Sequence, residues 1–223
     1  MKRYRAYIFD LNGTMVDDMF YHIKAWHRIF NELGRAISME KMKEESYGKN
    51  DEVIERIVPG RFSAEEKTEM SYKKEKEYQD GFRPQLKLVN GLEDFLASAH
   101  KAGIRMAIGS AAIMYNVDFV LDGLDIRKYF DVLVSADEVK KSKPDPETWL
   151  LCADRLGLPP KDCLVFEDSP KGVDAALRAG MDCIVILTMH QREDFKSFPN
   201  VIKFIGDFNE LNEWHHPHRF ESK

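Results

Sequence analysis

The rhythm of apolar and polar positions changes twice along the chain. Residues 4–10, Tyr-Arg-Ala-Tyr-Ile-Phe-Asp, form a short run rich in aromatic and β-branched residues, the signature of a buried strand. From residue 18 to 80 strand-like runs almost disappear, and apolar residues recur at helical spacing. Phe20, Ile23, Ile29, Phe30 and Leu33 share one helix face, and Gly34 is a natural C-cap. Ser38 reads as the N-cap of a second helix. Ser63-Ala-Glu-Glu66 fits a capping box for a helix running to about Gln79, with Gly81 and Pro84 closing the region. Beyond residue 84 strands and helices alternate. Helices are expected at 91–102, 113–122, 145–156 and 170–179. Each precedes a strand, at 104–109, 131–135, 163–167 and 182–187. A last strand near 201–205 leads to a short helix near 207–213. This alternation predicts an α/β fold with a doubly wound parallel sheet. The first strand belongs to the same sheet, so the helical block is an insertion after strand one. The expected division is a core of 1–16 and 82–223 with an α-helical cap of 17–81.

Composition narrows the function classes. The 223 residues hold 43% apolar and 32% charged positions, as ordinary globular proteins do. A net charge of −5 argues against a nucleic-acid partner, which calls for a basic face. No stretch approaches the roughly 18 apolar residues of a membrane span. Cys152, Cys163 and Cys183 are odd in number and lack metal-ligand spacing, so they read as buried thiols in a reducing compartment. The expectation is a cytoplasmic protein, and nothing in the chain demands more than a monomer. The histidine-rich stretch Trp214-His215-His216-Pro217-His218 reads as a polar terminus.

In a parallel sheet the strand C-termini line one edge, where such folds bind ligands. Strand one ends in Asp10, and the strand at 104–109 ends in Gly109-Ser110-Ala111. The strand at 163–167 ends in Glu167-Asp168. Ser142-Lys143-Pro144 precedes the helix after strand 131–135. The set suits phosphoryl transfer. Asp10 is a candidate nucleophile. Glu167 and Asp168 are oxygen ligands for a hard cation such as Mg²⁺. Ser110 and the N–H of Ala111, expected to open a helix, are phosphate donors. Lys143 brings positive charge to the nucleophile and the transferring group.

Asp10-Leu-Asn-Gly-Thr14, Gly109-Ser110-Ala111, Ser142-Lys143-Pro144 and Glu167-Asp168-Ser169 resemble, in order, the motifs of the haloacid-dehalogenase superfamily. Within the cap, Tyr21-His22-Ile-Lys24-Ala25-Trp26 resembles its β-phosphoglucomutase-like subgroup. The resemblance implies an aspartyl-phosphate at Asp10 and Mg²⁺ held by Asp10, Asp168 and the backbone carbonyl of Asn12. It implies Ser110 and Lys143 on the phosphoryl group, and His22 and Trp26 facing a small phosphorylated metabolite, a sugar phosphate foremost. Lys74 falls near a lysine that contacts the histidine in the subgroup, although the alignment there is loose and a solvated charge run is the favoured reading. Gly48-Lys49-Asn50-Asp51 corresponds to the substrate loop of the cap. Asp51 stands where the subgroup carries a phosphate-binding arginine, leaving Lys49 as the available cation.

Position 12 departs from the pattern. The residue two after the nucleophile is normally an aspartate that moves the proton, and an amide does not. Three accounts stand open: a weak or specialised phosphatase or phosphomutase, an asparagine introduced to trap a complex, or a phosphometabolite-binding protein without turnover. Dehalogenase and pyrophosphatase chemistry fit less well.

Overall fold

The computed structural model describes residues 3–211. Six strands form one parallel sheet. They are β1 (Ala6–Phe9), β2 (Arg105–Gly109), β3 (Val132–Val134), β4 (Cys163–Glu167), β5 (Asp182–Ile186) and β6 (Val201–Ile205). Their spatial order is β3-β2-β1-β4-β5-β6, so the chain winds outward from β1 in both directions. β1 pairs with β2 on one side and β4 on the other, with Phe9 opposite Ile108 and Phe166. That register brings Asp10, Ser110 and Asp168 to the same edge.

Alternate strand residues point to opposite faces. Tyr7, Phe9, Ile108, Leu164, Phe166 and Ile184 pack in one apolar layer. Ala6, Ile8, Ala107, Val165, Cys183 and Val185 pack in the other. Both faces are covered, which explains why these strands read as continuous apolar runs. All three cysteines are buried with free thiols, and burial pushes each above the usual thiol range.

The inserted segment folds as α1 (Met19–Glu32), α2 (Met39–Glu45), α3 (Asn50–Ile57) and α4 (Ala64–Phe82). Ile23, Trp26, Ile29, Phe30, Met42, Val53 and Ile54 make a separate apolar cluster there. Ser38 caps α2 through the Lys41 N–H, and Ser63 and Glu66 form the expected box at the start of α4. α4 runs past Gly81, because Tyr78 and Phe82 anchor its last turn in the sheet-side core. Four helices follow in the core: α5 (Leu92–Lys101), α6 (Met114–Gly123), α7 (Glu147–Arg155) and α8 (Pro170–Ala179). The expected last helix is a 3₁₀ turn, Phe208–Leu211, held by burial of Phe208 and Leu211. Residues 212–213 and the histidine-rich stretch lie outside the described residues. No described helix is long and apolar enough to cross a membrane.

Candidate active site

The strand ends meet beneath the helical segment at a cavity of about 150 Å³. Its walls include Asp10, Asn12, Ser110, Ala111, Lys143, Glu167 and Asp168 from the core, with His22, Trp26 and Lys74 from the helical segment.

Three carboxylates dominate its floor. Asp10, Glu167 and Asp168 are buried, each with an oxygen within 4.8 Å of the others'. Lys143 Nζ donates to Asp10 Oδ1 at 2.6 Å and to Glu167 Oε1 at 2.9 Å. It also sits 3.9 Å from the centre of the Trp149 ring, whose own N–H is spent on the Gly172 carbonyl. Burial disfavours the Lys143 charge, but the two carboxylates outweigh it and hold the ammonium above its usual range. One cation against three buried anions leaves a negative excess. Burial raises the Asp10 carboxyl to about 7, with Lys143 opposing and Glu167 and Asp18 adding to the rise. Asp168 is also raised, by burial and by the charges of Glu167 and Asp10.

Glycines make this crowding possible. Gly13 has φ +81°, and a Cβ there would lie 2.3 Å from Asp168 Oδ2. A Cβ on Gly172 would lie 1.7 Å from Glu167 Oε1. The second Glu167 oxygen accepts the N–H groups of Asp168 and Ser169, both at 2.6 Å. Glu167 is thus fixed by backbone and holds Lys143 in place. Thr14 Oγ1 donates to Asp168 Oδ1 at 3.0 Å. An all-oxygen donor set with uncompensated negative charge fits a hard divalent cation.

Lys143→Met is expected to destabilise the metal-free protein by about 3–5 kcal/mol, the typical cost of removing one partner of a buried ion pair. A carboxyl with a raised folded-state pKa keeps its contribution at low pH and loses it as pH rises through that value. Without Lys143, whose charge opposes the rise, the Asp10 and Asp168 carboxyls are pushed up further. Thermal melts in EDTA should therefore show a larger deficit at pH 8 than at pH 5. An equal deficit at both would contradict the charge argument.

Position 12 heads a second network, which the sequence did not reveal. Asp18 is fully buried; its side chain turns away from the α1 backbone it precedes. It accepts from Asn12 Nδ2 (2.6 Å), Gly13 N (3.1 Å) and the Tyr78 hydroxyl (2.5 Å). Asn12 Nδ2 also lies 3.1 Å from His22 Nε2, and Lys74 Nζ lies 2.6 Å from His22 Nδ1. Tyr78 stacks on the His22 ring at 3.7 Å. A neutral imidazole accepts at one nitrogen only. With the Asn12 amide on Nε2, Nδ1 is the ring nitrogen that faces Lys74. Lys74 is buried and continues to Glu75 Oε1 at 3.0 Å, where Asn50 Nδ2 also donates at 2.8 Å. The solvated-run account of Lys74 is corrected by its burial. Burial alone would raise Glu75, but Lys74 and His22 outweigh it and hold the carboxyl below its usual range.

Two expectations need correction. Lys49 does not line the cavity. Its N–H is given to Glu52 as α3 begins, and its Nζ donates to the Val139 carbonyl of the core at 3.0 Å. Asn50 and Gly48 line the wall instead. Ala111 does not open a helix. Ser110 Oγ takes the Ala112 N–H, and α6 starts only at Met114. Ser110 and Ala111 still border the cavity, in a turn.

Comparison with known proteins agrees with this architecture. The haloacid dehalogenase-like hydrolase family model matches residues 7–186. The chain is 35% identical over 191 residues to a fructose-1-phosphate phosphatase of Escherichia coli K12, covering 82% of this chain and 96% of that protein. It is 32% identical over 181 residues to a phosphorylated carbohydrates phosphatase of Thermotoga maritima, covering 80% and 83%. A β-phosphoglucomutase structure from Clostridium difficile superposes with TM-score 0.82 at 27% identity, covering 95% of both chains. With its motifs on one sheet edge and relatives named as phosphatases, this chain belongs to the haloacid dehalogenase-like hydrolases.

Proposed function

We propose that this hydrolase is a slow, Mg²⁺-dependent phosphatase acting on a monophosphorylated carbohydrate. The observation that carries the reading is Asp10, held by Lys143 beside two further buried carboxylates at the floor of the cavity. Asp10, Asp168 and the Asn12 carbonyl would hold the ion, with Glu167 beside them. When bound, Mg²⁺ offsets the negative charge of the phosphoryl oxygens.

The Asp10 oxygen attacks phosphorus, the ester bond breaks, and the sugar leaves as its alcohol. Water then attacks the aspartyl-phosphate, releasing phosphate and restoring Asp10. Lys143 and Ser110 hold the phosphoryl oxygens through both steps. Asn12 has no proton to give. The titratable ring next to it is His22, and we assign it the proton passed to the leaving oxygen and recovered from water, a role that requires the Asn12 amide to release Nε2. An amide between ring and substrate is a poor substitute for a carboxyl. Loss of general acid–base catalysis costs about 10²–10⁴ in rate. Against a typical turnover near 10 s⁻¹, this predicts about 10⁻³–10⁻¹ s⁻¹.

The test is phosphate release from a panel of hexose and hexitol monophosphates, with Mg²⁺ and with EDTA. Slow release that EDTA stops is the expected result. Asn12 itself favours one other reading, a protein that binds such esters without turning them over. Mg²⁺-dependent binding with no phosphate released would support that reading and defeat the phosphatase.

A further inference from the structure

Buried polar side-chain atoms are hydrogen-bonded as a rule, and each exception calls for an explanation. Four such atoms lack a partner among the described residues, and two of them, Glu75 Oε2 and Ser46 Oγ, belong to residues on the wall of this cavity. Glu75 is only 1% exposed. Its other oxygen is fully engaged by Lys74 and Asn50. His22 Nδ1 lies 3.8 Å from Oε2, outside hydrogen-bond reach. Lys74 and His22 hold the carboxyl below its usual range, which favours the ionised form that offers lone pairs and no proton. An ionised acceptor is filled best by O–H or N–H donors of the ligand, and it repels a second phosphate.

The neighbouring cations are occupied elsewhere. Lys74 is committed to His22 and Glu75. Lys49 is tied to Val139. Lys171 lies against the face of the Tyr47 ring, at 2.9 Å from its centre. The helical side of the cavity therefore pairs one unsatisfied carboxylate oxygen with one unsatisfied hydroxyl, and lacks an arginine among its wall residues.

We infer that Glu75, assisted by Ser46, reads the free hydroxyl groups of the substrate, and that the substrate is a polyhydroxylated monophosphate rather than a bisphosphate. The inference rests on the phosphatase reading and names the part of the ester that the phosphate-binding floor does not see. Glu75 and Ser46 are specificity residues here. The chemistry at phosphorus belongs to Asp10.

The experiment compares a hexitol monophosphate with p-nitrophenyl phosphate, which has no hydroxyl to read. The quantity is the ratio of the two kcat/KM values. In Glu75→Gln the amide oxygen keeps Asn50 and Lys74, and an NH₂ replaces the unpartnered acceptor. The ratio should fall at least tenfold, mostly through the hexitol phosphate KM. Ser46→Ala should lower it about threefold, and serves alone if Glu75→Gln does not fold. The unaltered protein should prefer the monophosphate to the corresponding bisphosphate. A ratio within twofold of the original in the folded variants overturns the inference, and so does a tenfold preference for the bisphosphate. If the unaltered protein hydrolyses neither ester, the phosphatase reading fails. The same ratio is then read from calorimetric affinities, with the same tenfold drop expected in Glu75→Gln and the same overturning result.

Discussion

Asp10→Asn is expected to abolish phosphate release while leaving the protein folded. An amide does not form the acyl phosphate, and losing a covalent nucleophile costs about 10⁴-fold or more in other hydrolases. Starting from an already slow enzyme, the variant should fall below detection. Stability should move the other way or not at all. Asp10 is one of three carboxylates crowded onto a single lysine, and burial already raises its pKa to about 7. Removing its charge relieves repulsion, and Lys143 keeps Glu167 at 2.9 Å. Melting in EDTA should match or exceed that of the unaltered chain, to within about 1 kcal/mol of the neutral case. In parallel, mass spectrometry of the unaltered chain quenched in acid during turnover should place the phosphoryl label on Asp10. A variant that remains active, or a label elsewhere, would remove Asp10 from the reaction.

Asn12→Asp should raise turnover by at least tenfold, and by about 10²–10⁴ if acid–base catalysis is fully restored. The geometry says why the new carboxyl would serve as an acid. Its outer atom would replace an amide nitrogen 2.6 Å from Asp18 Oδ2, inside a buried network that already includes the Tyr78 hydroxyl. Two carboxylates that close do not both ionise, so one carries a proton near neutral pH. The proton sits next to the cavity, where a leaving oxygen needs it. Asp18 then becomes a positioning residue for the acid at position 12. Measured against the same sugar phosphates with Mg²⁺, an increase confined to kcat is the expected signature. No gain would mean that position 12 is not where the proton deficit lies, and would favour the binding protein that Asn12 also suggests.

Much of this site was legible before any coordinates. Asp10, Ser110 and Asp168 sit at strand ends and Lys143 in the segment that leads into α7, and these places follow from the alternation of short apolar runs with helical ones. The cap residues were harder, for physical reasons. Lys73-Lys74-Glu75-Lys76 reads as a charge run because residue type dominates a local reading. Counting back from Tyr78 and Phe82 in steps of three and four reaches Lys74, Glu75 and Ser71, the inward face of α4. Periodicity held the signal, and charge hid it. Lys49 failed for another reason. Its neighbour Glu52 caps the start of α3, which turns the lysine toward Val139, and a four-residue loop motif carries no record of that turn. Asp18 gave no usable signal at all. It looks like an ordinary helix N-cap, and only the left-handed turn at Gly13 brings a backbone N–H within its reach.

The close approach of Gly13 to Asp168, and of Gly172 to Glu167, has a consequence for how such a site changes over generations. Any side chain at either glycine would collide with a buried carboxylate, so these positions are closed to drift while the carboxylates remain. Position 12 is different. Asparagine and aspartate have the same shape, and the exchange leaves the turn, the Gly13 contact and the backbone carbonyl untouched. On the phosphatase reading, a single-atom change there would alter the rate of reaction without altering the fold. The scaffold is closed to change beside Asp168 and Glu167, and open to change at the atom to which the phosphatase reading assigns the speed. A lineage can slow this chemistry, or recover it, in one step.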